Sequence, residues 1–121
     1  NAAMLSNQIM SKLFAQHLEE SGETDLAFRD MKGSTDMGDI SQVIPSIHPW
    51  VHLPCSGGAL HSREFADATQ KPCAADYLTR CAEAMALTAA DILCDPQLLP
   101  AIREEFRNSD PTPFEAPAEA D

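Results

Sequence analysis

Positive charge is what this chain has least of. Eight Lys and Arg stand against 19 Asp and Glu, a formal net charge of -11 over 121 residues. A surface of that sign repels a phosphate backbone, which excludes nucleic acid as a natural partner. The acids are scattered and concentrate only in the tail, so they read as a solvated face that promotes solubility. Long apolar runs are also missing: none approaches the roughly 18 residues a membrane span requires. Neither a secretory signal nor a membrane anchor is visible.

The cysteines are equally uninformative in spacing. Cys55, Cys73, Cys81 and Cys94 form no C-x-x-C and have no His at metal-finger spacing. Neither a disulfide framework nor a zinc knuckle is expected, and a reduced, cytoplasmic chain is. Cys81 and Cys94 fall within helical patterns, where Cys behaves as a small buried hydrophobe. Complete catalytic motifs are absent as well. A hydrolytic zinc needs about three protein ligands and an open position, yet neither H-E-x-x-H nor H-x-D occurs. G-x-S-x-G is missing, and Cys55, beside a glycine turn, has no identifiable base.

What is present suits one soluble domain, with 44% hydrophobic and 22% charged residues and enough length to bury roughly two thirds of its unfolded surface. Between residues 6 and 20, Ile9, Leu13, Phe14 and Leu18 recur at helical spacing, with Ser6 or Asn7 as N-cap and Gly22 past the end. His17 sits beside that stripe as a structural, boundary histidine with no partner one turn away. Residues 23–32 read as a loop or short extended piece. Residues 40–53, rich in Val and Ile but broken by Pro45 and Pro49, predict one or two short strands held to edges or bends. Ser56, Gly57 and Gly58 mark a turn, with His61 opening a helical segment.

A long helix is predicted over 74–92, with Tyr77, Leu78, Cys81, Met85, Thr88 and Ile92 on one face and alanines allowing close approach. Asp95 and Pro96 form an N-cap and first-turn pair for a third helix, whose buried stripe is Leu98, Leu99, Ile102 and Phe106. From residue 109 onward the Pro-rich acidic tail is expected to be disordered.

Residues 33–65 concentrate the chemistry. They carry three of the four histidines, His48, His52 and His61, with Ser34, Thr35, Asp36 and Asp39. On an extended segment His48 and His52 would share a face, an arrangement more often met in packing than in metal binding.

Three linked motifs then stand in order: G-S-T-D-M-G-D-I-S over 33–41, V-I-P-S-I-H-P over 43–49, and H-S-R-E-F over 61–65. They resemble the C-terminal part of the catalytic domain of zinc amidohydrolases and metallopeptidases of the aminoacylase and carboxypeptidase type, nearest the aminobenzoyl-glutamate hydrolase and dipeptidase-like branch. The likeness runs from about residue 6 to 107 and includes D-P-Q-L-L-P-A-I-R-E-E-F. It implies an α/β fold, the C-terminal fragment of a three-layer αβα domain, with about three helices and a few short strands over 1–108 and the tail over 109–121.

For His61 the resemblance implies a metal-ligand role, the last in chain order. For Ser34, Thr35 and Asp36 it implies a turn lining the substrate cleft, against the alternative of a capped turn in which Asp36 binds nearby amides. His48 faces the same cleft or marks a bend, and Trp50 is expected to pack. Ser62 stands where threonine is common. Two divalent ions, zinc by the family pattern, belong to the complete enzyme, with at most one partial site here. The family's His-x-Asp pair, bridging aspartate, glutamate base and lid have no counterpart in this sequence. The implied activity is cleavage of the amide bond of N-acyl amino acids or small dipeptides, lost in the isolated chain. The alternative is a non-catalytic α/β module that self-associates or binds a partner; a homodimer, or association with the catalytic part, is the expected partnership.

Overall fold

The fold was analysed on a computed structural model that describes residues 2–23 and 35–109. Five helices run in order: α1 (Gln8–Glu20), α2 (Met37–Ser41), α3 (Arg63–Ala68), α4 (Pro72–Cys94) and α5 (Leu98–Asn108). The helix α1 begins where the Asn7 side chain accepts the Met10 amide at 3.1 Å, and it ends at Gly22, whose φ of 98° suits glycine. Pro72 opens α4 at a position where its missing N–H costs nothing. The expected start of the last helix shifts by two residues, with Gln97 rather than Asp95 as its N-cap. The Asp95 carboxylate accepts the Gln97 amide at 2.9 Å, closing a turn before Leu98.

The core lies between α1 and α4. Phe14 and Leu18 of α1 pack on Ala84 of α4, flanked by Ile47 and Cys81. Burial of Phe14 and Leu18 contributes about 1.5–3 kcal/mol each, and the absence of a large side chain at Ala84 is what lets the helices approach. The buried arc of α4 is Ala74, Tyr77, Ala84 and Thr88, with Cys81 half-buried. Leu78 and Met85, expected on that arc, are instead 70% and 58% exposed.

Asn7 ties α5 to this pair. Its amide group donates to the Ile102 carbonyl at 3.2 Å, and its backbone N–H donates to Ser46 at 2.9 Å. The Glu105 carboxylate accepts the amides of Gln8 and Ile9 at the start of α1, an anion placed on the positive end of a helix. The residues before α1 run along α2: Ala2 donates to Asp39, Leu5 donates to Ser41 and Gln42 donates to Ala3.

The strands expected over 40–53 do not form among the described residues. Ile40 and Ser41 belong to α2, and the β structure is a single parallel bridge, Ser6 with Ser46. Pro45 and Pro49 offer no ladder N–H, and a lone segment without a neighbouring strand has nothing to pair with. The described part is therefore helical, and the tail beyond residue 109 lies outside the described residues.

Candidate functional site

The first wall of the expected site is only partly described, since Ser34 falls outside the described residues. Thr35 forms a hydroxyl turn: its Oγ1 accepts the Met37 amide at 3.3 Å and lies 3.5 Å from an Asp36 carboxylate oxygen. The hydroxyl, rather than Asp36, therefore holds the backbone amide. The Asp36 carboxylate makes no capping bond and is exposed to solvent.

His48 follows the Pro45 bend. It is half-buried, its Nδ1 is enclosed without a hydrogen-bond partner among the described residues, and its ring lies 5.5 Å from that of Trp50. Trp50 is 56% exposed, so its packing is limited to one face. His52 is exposed.

His61 is the most distinctive position. Its φ of 64° is the one positive value at a non-glycine residue among those described, a conformation that costs energy and that tends to mark turns under functional constraint. The imidazole is exposed and takes no hydrogen-bond partner among the described residues. Immediately after it, Ser62 caps α3, its Oγ accepting the Phe65 amide at 3.1 Å. The turn is tight because Gly58 lies beneath it: a Cβ there would stand 2.7 Å from the Ser62 hydroxyl and 2.8 Å from the Glu64 Cβ. The hydroxyl at position 62 is thus used structurally.

A disulfide between Cys55 and Cys73, with Cα atoms 6.3 Å apart, pins this turn to the start of α4. Four unpaired cysteines were expected, and that expectation fails for two of them. Spacing along the chain carried no sign of the pairing because proximity is set by the fold. Cys81 and Cys94 remain free, but Cys94 is exposed rather than buried. Burial raises the Cys81 thiol pKa, which keeps it protonated and unreactive.

Apart from the adjacent Thr35 and Asp36, no hydrogen bond or ion pair links the expected site residues to one another among the described residues. No group of three or more His, Cys, Asp or Glu side chains there comes together as a metal site. A groove of about 480 Å³ runs between α1 and α5, lined by Met10, Val43, Ile44, Ile102, Phe106 and Arg107 among others. None of the expected site residues lines it.

The polar contact that sequence reading missed lies at His17. Its Nε2 meets an Asp91 carboxylate oxygen at 2.6 Å and its Nδ1 meets Glu20 at 3.3 Å. The Asp91 hydrogen bond, opposed by desolvation and assisted by the charges of Asp91 and Glu20, raises the His17 pKa. Glu20, one turn along α1, was visible in the sequence; Asp91 was not. The pair is a brace between α1 and α4. Tyr77, on the same inner face of α4, has its phenol pKa pushed up by burial and then by the nearby Glu23 carboxylate, while Arg80 sits 5.2 Å from its ring centre.

Two curated relatives are similar to this chain. The human Xaa-Arg dipeptidase is 33% identical over 108 residues, covering 86% of this chain and 24% of its own length. The mouse Xaa-Arg dipeptidase is 35% identical over 83 residues, covering 69% of this chain and 19% of its own length. No family model and no solved structure matches. The chain spans about a fifth to a quarter of the relatives it matches. It is related to one segment of a dipeptidase-like polypeptide.

Proposed function

We infer that the chain is the C-terminal segment of the αβα catalytic domain of a metal-dependent amidohydrolase or peptidase. Its reaction in the complete enzyme is cleavage of the amide bond of an N-acyl amino acid or small dipeptide. The observation that carries this is the match of 86% of the chain to the human dipeptidase, together with H-S-R-E-F at 61–65.

His61 supplies one metal-ligating imidazole. Its exposure leaves the ring accessible to an ion, and its second nitrogen would take its acceptor from the rest of the polypeptide. The turn that holds it is fixed on both sides, by the Ser62 cap and by the Cys55–Cys73 disulfide, and such support keeps a first ligand within the narrow tolerance a metal demands. Ser34, Thr35, Asp36 and His48 form the substrate wall. His48 joins that wall as a half-buried ring 5.5 Å from that of Trp50.

Two divalent ions, zinc by the family pattern, would polarise the scissile carbonyl and make water a nucleophile at neutral pH. One imidazole is too few for a hydrolytic zinc, so the remaining ligands and the general base belong to polypeptide outside this segment. The isolated chain is inactive. Zinc added to it gives no hydrolysis of N-acyl amino acids or dipeptides in an amine-release assay. Turnover by the pure chain, abolished by His61→Ala, overturns that reading.

A further inference from the structure

Residues 55–73 form a closed loop that carries α3 and the His61 turn. Among the described residues, every hydrogen bond made by residues 55–71 joins positions no more than four apart. Ala68 is the one buried residue between the two cysteines. The helix α3 has six residues, too few to be stable alone in water. The core is built elsewhere, from Phe14, Leu18 and Ala84 with Ile47 and Cys81 at its edge. What joins the two ends of the loop is the Cys55–Cys73 bond, across 18 residues of sequence.

The same loop holds a strained residue. His61 has a φ of 64°, a conformation that persists only where its surroundings over-determine it. On its C-terminal side the Ser62 hydroxyl accepts the Phe65 amide at 3.1 Å, and Gly58 packs closely against that hydroxyl. Those contacts lie inside the loop and move with it, whereas the crosslink fixes the first residue of the loop to the start of α4. Both cysteines are half-buried rather than enclosed, so a small thiol reaches them without unfolding the core.

We propose that the Cys55–Cys73 disulfide is a thiol-sensitive latch: a dithiol reductant opens it, and opening releases the turn that holds His61 while α1, α4 and α5 stay packed. A thiolate of the reductant attacks one cysteine sulfur, the S–S bond breaks, and the other cysteine leaves as a thiolate that takes up a proton. The second thiol of the reductant then resolves the mixed disulfide, leaving Cys55 and Cys73 as thiols and the reductant as its own disulfide. Once the latch is open, the backbone at His61 relaxes toward negative φ and its imidazole changes direction. In the complete enzyme that movement takes the ring away from the ion it ligates, a consequence that rests on the function proposed above. The latch itself does not rest on it.

Dithiothreitol added to the full chain without denaturant or metal tests the latch, so the result is independent of what His61 ligates. Alkylation after a denaturing quench should count four thiols in place of the two, Cys81 and Cys94, that are free beforehand. Trypsin cleavage after the exposed Arg63, measured against cleavage after Arg80 inside α4, should then rise at least about tenfold. Amide exchange at Phe65 and Ala66 should quicken more than in the α4 interior. A Cys55→Ala/Cys73→Ala variant should show the reduced pattern with or without the reductant, and far-UV circular dichroism should show all forms still helical. A disulfide that opens only in denaturant overturns the proposal. So does an opened one that leaves the Arg63 to Arg80 cleavage ratio unchanged, or that speeds exchange equally in the loop and in α4.

Discussion

Replacing Gly38 with alanine should loosen the first residues of the chain from α2. A Cβ at Gly38 would lie 2.0 Å from the Ala2 carbonyl oxygen and 3.0 Å from its carbon. Both are backbone atoms, so the residues before α1 must move as a unit. Two hydrogen bonds lie in their path: Ala2 to Asp39 at 2.6 Å and Gln42 to Ala3 at 2.7 Å. Losing both costs roughly 1–3 kcal/mol. Alanine is favoured over glycine in a helix by at most about 1 kcal/mol, and less here because Gly38 lies in the first turn of a five-residue helix. The net expectation is destabilisation by about 1–2 kcal/mol. Urea unfolding measures it, and amide exchange localises it: the Leu5 amide, bonded to Ser41 at 2.9 Å, should lose protection while the α4 interior does not. A variant that is more stable than wild type, with Leu5 exchange unchanged, would refute the packing argument.

Two further perturbations follow from the contacts around α4. The His17 pKa is raised above 6.5 by its Asp91 hydrogen bond, so the brace stabilises fully below the unfolded value and is lost as pH rises through the folded one. Asp91→Asn should therefore cost up to about 1 kcal/mol near pH 5.5 and almost nothing near pH 8.5, a partly exposed pair being worth no more; equal costs at the two pH values would contradict it. Cys73→Ser opens a crosslink that spans 18 residues. It should destabilise the chain by up to about 3 kcal/mol and speed proteolysis around His61, whereas an unchanged urea midpoint would show that the turn is held without the disulfide.

The sequence revealed some of this fold because certain signals are local. The Asn7 cap, the α1 stripe and Gly22 all act within one helix, and α4 announces itself by its length and alanine content. Which face of α4 is buried was not local. Tyr77 and Thr88 point inward, but Leu78 and Met85, equally apolar, belong to a second arc, and only the position of α1 separates the two. The strands expected around Val43 and Ile44 failed for a related reason: β propensity describes fit to a neighbour, and the described residues supply none. The Cys55–Cys73 pair and the Asp91 partner of His17, 18 and 74 residues distant, depend on tertiary placement. At the candidate site the Thr35 turn and the His61 position were visible as motifs. The positive φ of His61 was not, since histidine rarely adopts it.

The central claim is that this chain supplies His61 to a dipeptidase-like active site, and a chimera tests it most directly. Residues 2–109 replace the matching segment of the human Xaa-Arg dipeptidase, and dipeptide hydrolysis is measured alongside bound metal. The account predicts a folded chimera that hydrolyses the dipeptide, and a His61→Ala version that loses at least about a hundredfold in activity together with part of its metal. A folded, active chimera whose rate and metal content are untouched by His61→Ala would contradict it.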